Sequence, residues 1–316
     1  MYPPLKKLIL IVVVLYWLAG SQACTSNADK IDEVASLYSN TQVIGDIVYK
    51  STSSRQLKLD AYIPVKRLGE PPWIEYSEPL KPMLLFFHGG GWTSGNKISR
   101  SLFLMPYINR GFGVVTADYR HLDEATLPDI IEDTRAALHW IYAHQEKYRM
   151  DTARILVSGE SAGGHLALMN GVLSGGNLFL PDSLKNYSLR VAGVINWFGV
   201  ADLNETYEDW DMAFRALVAG PDTTRAQEIL KQCSPVTYID SNTVPVLTIH
   251  GSEDKAAEYD QALLLHRLLD QNKVKNKLWT IQGKKHGNFD SQEMTAAVQQ
   301  IWKFIETESI FKPSHH

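Results

Sequence analysis

The sequence predicts an α/β fold, a mostly parallel central sheet with helices on both faces. Three observations carry this. Short apolar runs rich in β-branched residues recur along the chain, segments of helical period lie between them, and glycine clusters stand at several run ends. Met83–Phe87, Gly113–Ala117, Ile155–Ser158, Val191–Trp197, Val246–His250 and Leu278–Ile281 are continuous apolar runs, as expected of strands buried on both faces. Asp129–Tyr148 places Ile130, Ala137, Leu138 and Ile141 on one face of a helix, with Pro128 as its start signal. Ala162–Leu173, Tyr259–Leu269 and Gln292–Ile305 are further helical segments. Strand–helix alternation of this kind stacks into a parallel sheet covered on both sides.

The elements before and between these follow simpler patterns. Val43–Lys50 and Leu57–Ile63 read as an opening hairpin, and Pro71, Pro72, Pro79 and Pro82 mark a loop. Ser174–Arg190 and Leu203–Tyr238 fit no strand–helix unit and read as insertions above the sheet, forming a small lid. The 316 residues are 45% hydrophobic and 21% charged, enough apolar mass for one large core. A net charge of −4 leaves no electrostatic footprint for nucleic acid, so no nucleic-acid partner is expected.

The N-terminus reads as a targeting segment. Lys6 and Lys7 precede the apolar run Leu8 to Leu18, and small residues follow up to Ala23. The expected organisation is a signal peptide over 1–23, a tether over 24–42 and one α/β domain over 43–312. The run is short for a bilayer span, although an uncleaved anchor is the alternative. Ser21-Gln22-Ala23 suits ordinary cleavage. Cys24 after Ala23 resembles the lipidated cysteine of a bacterial lipoprotein, which would make a membrane tether, although Ser21 stands where leucine is usual. The expected location is secreted or extracytoplasmic, with lipid anchoring to the envelope as the preferred form. Cys233 is the other cysteine and reads as structural.

Three loops carry the chemistry. Gly159-Glu160-Ser161-Ala162-Gly163 lies between the strand Ile155–Ser158 and the helix Ala162–Leu173. A G-x-S-x-G turn from strand to helix lifts a serine hydroxyl above the sheet edge, where the helix N-terminus favours negative charge. A glycine-rich turn with an ordinary capping serine is the plain alternative. His88-Gly89-Gly90-Gly91-Trp92 follows the strand Met83–Phe87, and its glycines leave backbone N–H groups open to a developing oxyanion. Gly90 and Gly91 are the candidate donors, with the Ala162 N–H. Asp254, with Glu253 as its rival, follows the strand ending at His250, and His286 lies between glycines ahead of the last helix. His286 is the candidate base and Asp254 its orienting acid. The order Ser161, Asp254, His286 is the α/β-hydrolase order.

The chain resembles an α/β-hydrolase esterase of the HGGG-W class. It is most similar to the bacterial feruloyl and acetyl carbohydrate esterases labelled BD-FAE. The resemblance rests on FFHGGGWTSGNK, TADYR, the helix with Pro128, Asp133, Ala136, Ala137 and Trp140, SGESAGGHLAL, VAGVINWFGVADL, SPVTYI, PVLTIHGSED and KKHGNF, over about residues 45–305. Hormone-sensitive-lipase-like esterases and kynurenine formamidases are similar too. The resemblance implies the fold, a Ser161–His286–Asp254 triad and ester hydrolysis with no cofactor or metal. Two departures bear on substrate. Lys255-Ala256-Ala257-Glu258 replaces the usual Pro-Val-Val-Pro, and Lys284-Lys285 precedes His286.

Trp92, Trp197, Phe198 and Trp210 are candidate pocket walls for a sugar ring or an aromatic acyl group; plain packing is the alternative for Trp197 and Trp210. From the resemblance and the targeting segment, the expected substrate is a small-molecule or oligosaccharide ester, acetylated xylan first and a feruloyl ester second. An amidase, peptidase or arylformamidase on the same fold is the rival within enzymes. A non-catalytic binding protein or a glycan-binding lipoprotein is the rival outside them.

Overall fold

A computed structural model of the chain describes residues 40–68, 74–76, 79–99, 101–207, 212–219, 223–308 and 310–311. The expected signal peptide, Cys24, most of the expected tether and Trp210 lie outside these residues. Apart from a pair of two-residue strands at Lys66–Arg67 and Ile74–Glu75, the strands are β1 (Thr41–Ser51), β2 (Gln56–Pro64), β3 (Lys81–Phe87), β4 (Gly113–Ala117), β5 (Met150–Glu160), β6 (Gly193–Trp197), β7 (Val246–Gly251) and β8 (Asn276–Ile281). They form one sheet in the order β1-β2-β4-β3-β5-β6-β7-β8. β2 runs antiparallel to β1 and β4, and every later pairing is parallel. The sheet therefore begins two residues inside the expected tether, because Thr41 and Gln42 already pair with Pro64 and Ile63.

Besides a single helical turn at Met105–Ile108, the described residues form seven α-helices: α1 (Leu127–Tyr148), α2 (Ala162–Val172), α3 (Leu203–Tyr207), α4 (Met212–Ala219), α5 (Thr223–Gln232), α6 (Tyr259–Gln271) and α7 (Ser291–Thr307). α1 starts two residues before the sequence expectation because Thr126 caps it reciprocally with Asp129, and Asp290 and Glu293 cap α7 the same way. Successive side chains of β3 enter opposite cores. Met83, Leu85 and Phe87 join the core with α1, α2 and α6, while Leu84 and Phe86 join the core with α7. This is the α/β-hydrolase fold. β5 begins five residues earlier than its apolar run, since the polar stretch Asp151–Arg154 hides a strand that already pairs Met150 with Lys81.

One expectation about the insertions is corrected. Ser174–Arg190 is no lid. It leaves the C-terminus of α2, and α2 runs back from Ser161 toward the opposite end of the sheet. There the buried Arg135 donates to Leu173 O at 3.2 Å and Gly176 O at 2.6 Å, closing the helix end, and Tyr142 donates to Arg190 O at 2.9 Å. Leu203–Tyr238 holds α3, α4 and α5, and only this insertion reaches the site, through Phe214 of α4. Cys233 is a free, buried thiol, and burial pushes its pKa up.

Candidate active site

Ser161 stands between β5 and α2 with φ 54° and ψ −120°, a backbone conformation that costs a non-glycine residue strain. The neighbours must be small for this turn to close. A Cβ on Gly159 would sit 2.2 Å from Gly163 O, and one on Gly163 would sit 2.1 Å from Phe87 O. The Ser161 N–H donates to Trp197 O at 2.8 Å, which ties the turn to the end of β6.

Beside it, the loop after β3 turns back through Gly90 (φ 120°), Gly91 (φ 60°) and Trp92 (φ 58°). Thr93 N and Ser94 N both donate to Gly90 O. His88 holds the base of this loop. Its ring stacks on Tyr119 at 4.3 Å, and its own carbonyl accepts from the Tyr119 hydroxyl at 2.7 Å. Burial lowers the His88 pKa to about 4, so at neutral pH it is an uncharged scaffold. Gly90, Gly91 and Ala162 line the same cavity as Ser161. Ala162 opens α2, where an N–H has no carbonyl four residues back within the helix.

The other two groups come from loops after β7 and β8. A Cβ on Gly251 would sit 2.3 Å from Lys284 O, so glycine there lets the two loops cross. Glu253 N donates to Lys284 O at 2.9 Å, and Gly283 N donates to Ser252 Oγ at 2.8 Å. His286 is thereby set between its partners. Nδ1 donates to Asp254 Oδ2 at 2.7 Å, and Nε2 faces Ser161 Oγ at 2.8 Å. The Asp254 side chain is fully buried, whereas its rival Glu253 is exposed. Burial by itself would raise the Asp254 pKa. Hydrogen bonds from His250 and His286, the His286 charge and the Ala256 N–H overcome it and hold the carboxyl well below the usual carboxylate range.

A family model for BD-FAE matches residues 74–269. The chain belongs to the BD-FAE family. One relative, the probable carboxylic ester hydrolase LipM of Mycobacterium tuberculosis (strain ATCC 25618 / H37Rv), is 32% identical over 187 residues, covering 57% of this chain and 43% of LipM. The chain spans about half the length of the curated relatives it matches. Two solved structures share the fold. A truncated carbohydrate esterase from gut microbiota is 22% identical with TM-score 0.68, covering 84% of this chain and 97% of that one. The butyrate-bound Est2 esterase of Thermogutta terrifontis is 23% identical with TM-score 0.69, covering 87% and 96%.

The cavity of this BD-FAE chain has a volume of about 450 Å³, walled by Trp92, Phe198, Val200, Phe214, Ala256 and Ala257, with Glu160 beside the serine. Phe198 lies edge-on to the His286 ring at 4.8 Å, and Trp92 stacks with Phe214 at 6.3 Å. Trp197 is corrected from wall to core. It is 1% exposed and packs against Phe103 at 4.6 Å in the α7-side core, on the same strand face as Ile195 two residues before it. Only its carbonyl serves the site. Glu160, Val200 and Phe214 were not singled out from sequence. Glu160 was readable as the residue before Ser161, but nothing in the pattern of α4 marks Phe214 as facing a cavity. Among the described residues, His121, Asp123 and Glu124 have spacing suited to a metal ion, but Glu124 already meets Arg55 at 3.3 Å and accepts from the His121 N–H.

Proposed function

We propose that the chain is a serine esterase that cleaves carboxylic esters through an acyl-enzyme. The observation that carries this is the Ser161–His286–Asp254 relay, with links of 2.8 and 2.7 Å. Ser161 Oγ attacks the ester carbonyl as His286 Nε2 takes its proton. Asp254 holds the imidazole in the tautomer with Nδ1 protonated and stabilises the imidazolium that forms. The N–H groups of Gly90, Gly91 and Ala162 receive the oxyanion, each donor worth about 10²–10³ in turnover. The leaving alcohol takes the proton from His286. Water activated by the same imidazole then cleaves the acyl-enzyme and restores Ser161.

The proposed substrates are acetyl esters of plant-type polysaccharides such as acetylated xylan, with feruloyl esters second. Membership of the BD-FAE family supports this, and aromatic walls at Trp92, Phe198 and Phe214 suit a sugar or aromatic ring. The proposed setting is extracytoplasmic, tethered through a lipid on Cys24. Intact-mass measurement of membrane-fraction protein tests the tether, and an unmodified form beginning at Cys24 would overturn it.

The deciding experiment compares wild type with Ser161→Ala on p-nitrophenyl acetate and butyrate. Wild type is expected to turn over, and the variant to lose about 10³-fold or more in kcat. Two folded proteins that both stay at background would sink the reading. Acetylated xylan oligomers and methyl ferulate are then ranked by kcat/KM.

A further inference from the structure

His250 is fully buried at the end of β7 and takes no part in the mechanism above. Its Nε2 lies 2.8 Å from Ala257 O and 3.2 Å from Asp254 Oδ2. Both neighbours are acceptors, so this nitrogen carries the proton. Nδ1 is buried and has no hydrogen-bond partner among the described residues, so a proton there would be orphaned. The ring is thus held as the Nε2–H tautomer, aimed at the carboxylate that holds His286.

Around Asp254 the donors are complete. Oδ1 accepts from Ala256 N at 2.9 Å and Ala257 N at 3.1 Å. Oδ2 faces His286 Nδ1 at 2.7 Å and His250 Nε2 at 3.2 Å. Four donors meet the roughly four lone-pair sites of a carboxylate. His250 contributes twice. Its single Nε2–H donates to Ala257 O, fixing the turn whose N–H groups supply two donors, and lies close enough to Asp254 Oδ2 to be shared with it.

We propose that His250 is a positioning residue that tempers the basicity of Asp254 and so sets the pH at which His286 becomes a competent base. This rests on the esterase reading. A carboxylate shared among four donors stabilises the His286 imidazolium less than one shared among three. Removing the His250 N–H concentrates negative charge on Oδ2, favours the imidazolium, and moves the acidic limb of activity to higher pH. The other ionisable neighbours leave this reading intact. Tyr259 meets the His250 ring edge-on at 5.7 Å, with its hydroxyl engaged by Thr280. His266, which interacts electrostatically with His250, is engaged by Asn276. Lys284 is paired with Asp290 and Glu293, Glu253 points to solvent, and Glu160 lies on the serine side of the cavity.

The test is the pH profile of kcat/KM on p-nitrophenyl acetate for wild type, His250→Phe and His250→Gln. Phe keeps a ring of similar size without the donor, and the Gln amide places an N–H near the position of Nε2. The acidic limb is expected to move up by about one pH unit in H250F and to return in H250Q. A limb that stays in place in folded H250F, or that shifts equally in H250Q, overturns the proposal. If H250F does not fold, the histidine nitrogen shifts of isotope-labelled wild type decide. Protonation at Nε2 of His250 supports the proposal, and protonation at Nδ1 overturns it. That readout needs no turnover, so it stands apart from the Ser161→Ala test of the esterase reading.

Discussion

Asp254 and Glu253 are adjacent carboxylates, and the site distinguishes them sharply. Asp254 is buried against two imidazoles, while Glu253 is exposed and offers only its backbone N–H to Lys284. Asp254→Asn is expected to lower kcat by about 10⁴, because an amide that donates to Nδ1 favours the wrong tautomer of His286. Glu253→Gln is expected to stay within about two-fold of wild type, since it touches none of the reacting atoms. Parallel kinetics on p-nitrophenyl acetate check both. Equal losses would return Glu253 to the role of orienting acid.

Among the elements, α4 is the one that shapes the cavity without belonging to the reaction. Phe214 reaches back from it to stack on Trp92 beside the glycine loop Gly89–Gly91. Phe214→Ala removes that wall. The ratio of kcat/KM for p-nitrophenyl hexanoate over acetate is expected to rise about ten-fold, the scale on which pockets discriminate methylenes. An unchanged ratio would place the acyl chain elsewhere in the cavity. The insertion Ser174–Arg190 should leave this ratio alone, because it packs at the far end of α2 against Arg135 and Tyr142.

On the scale of the whole molecule, two buried histidines link stability to pH. His88 lies under the glycine loop Gly89–Gly91 and His165 inside α2, and burial lowers each pKa from 6.5 to about 4. The unfolded chain therefore binds more protons than the folded one between those values. Stability is full above about pH 6.5 and falls as pH drops toward 4, by on the order of 3 kcal/mol for each histidine. Asp254, whose carboxyl is held low, adds a further loss below its ordinary range near pH 3.9. Urea unfolding between pH 7 and 4 checks this, and a flat midpoint across that range would refute it. Because His88 and His165 flank the serine turn, activity is expected to fall in the same acid range in which stability falls.

The sequence by itself determined the parallel sheet, the three chemical loops and their order along the chain. These are local properties. Apolar runs mark strands buried on both faces, and glycines mark turns where a Cβ at Gly159 or Gly163 would meet backbone within about 2 Å. The exclusion of Trp197 from the cavity, the place of Phe214 in its wall and the second imidazole at His250 beside Asp254 were decided only by tertiary structure. Each depends on which face a side chain takes at an element end, and on how two distant loops cross at Gly251 and Lys284. Such contacts join residues far apart in the chain, and no periodicity within one segment encodes them.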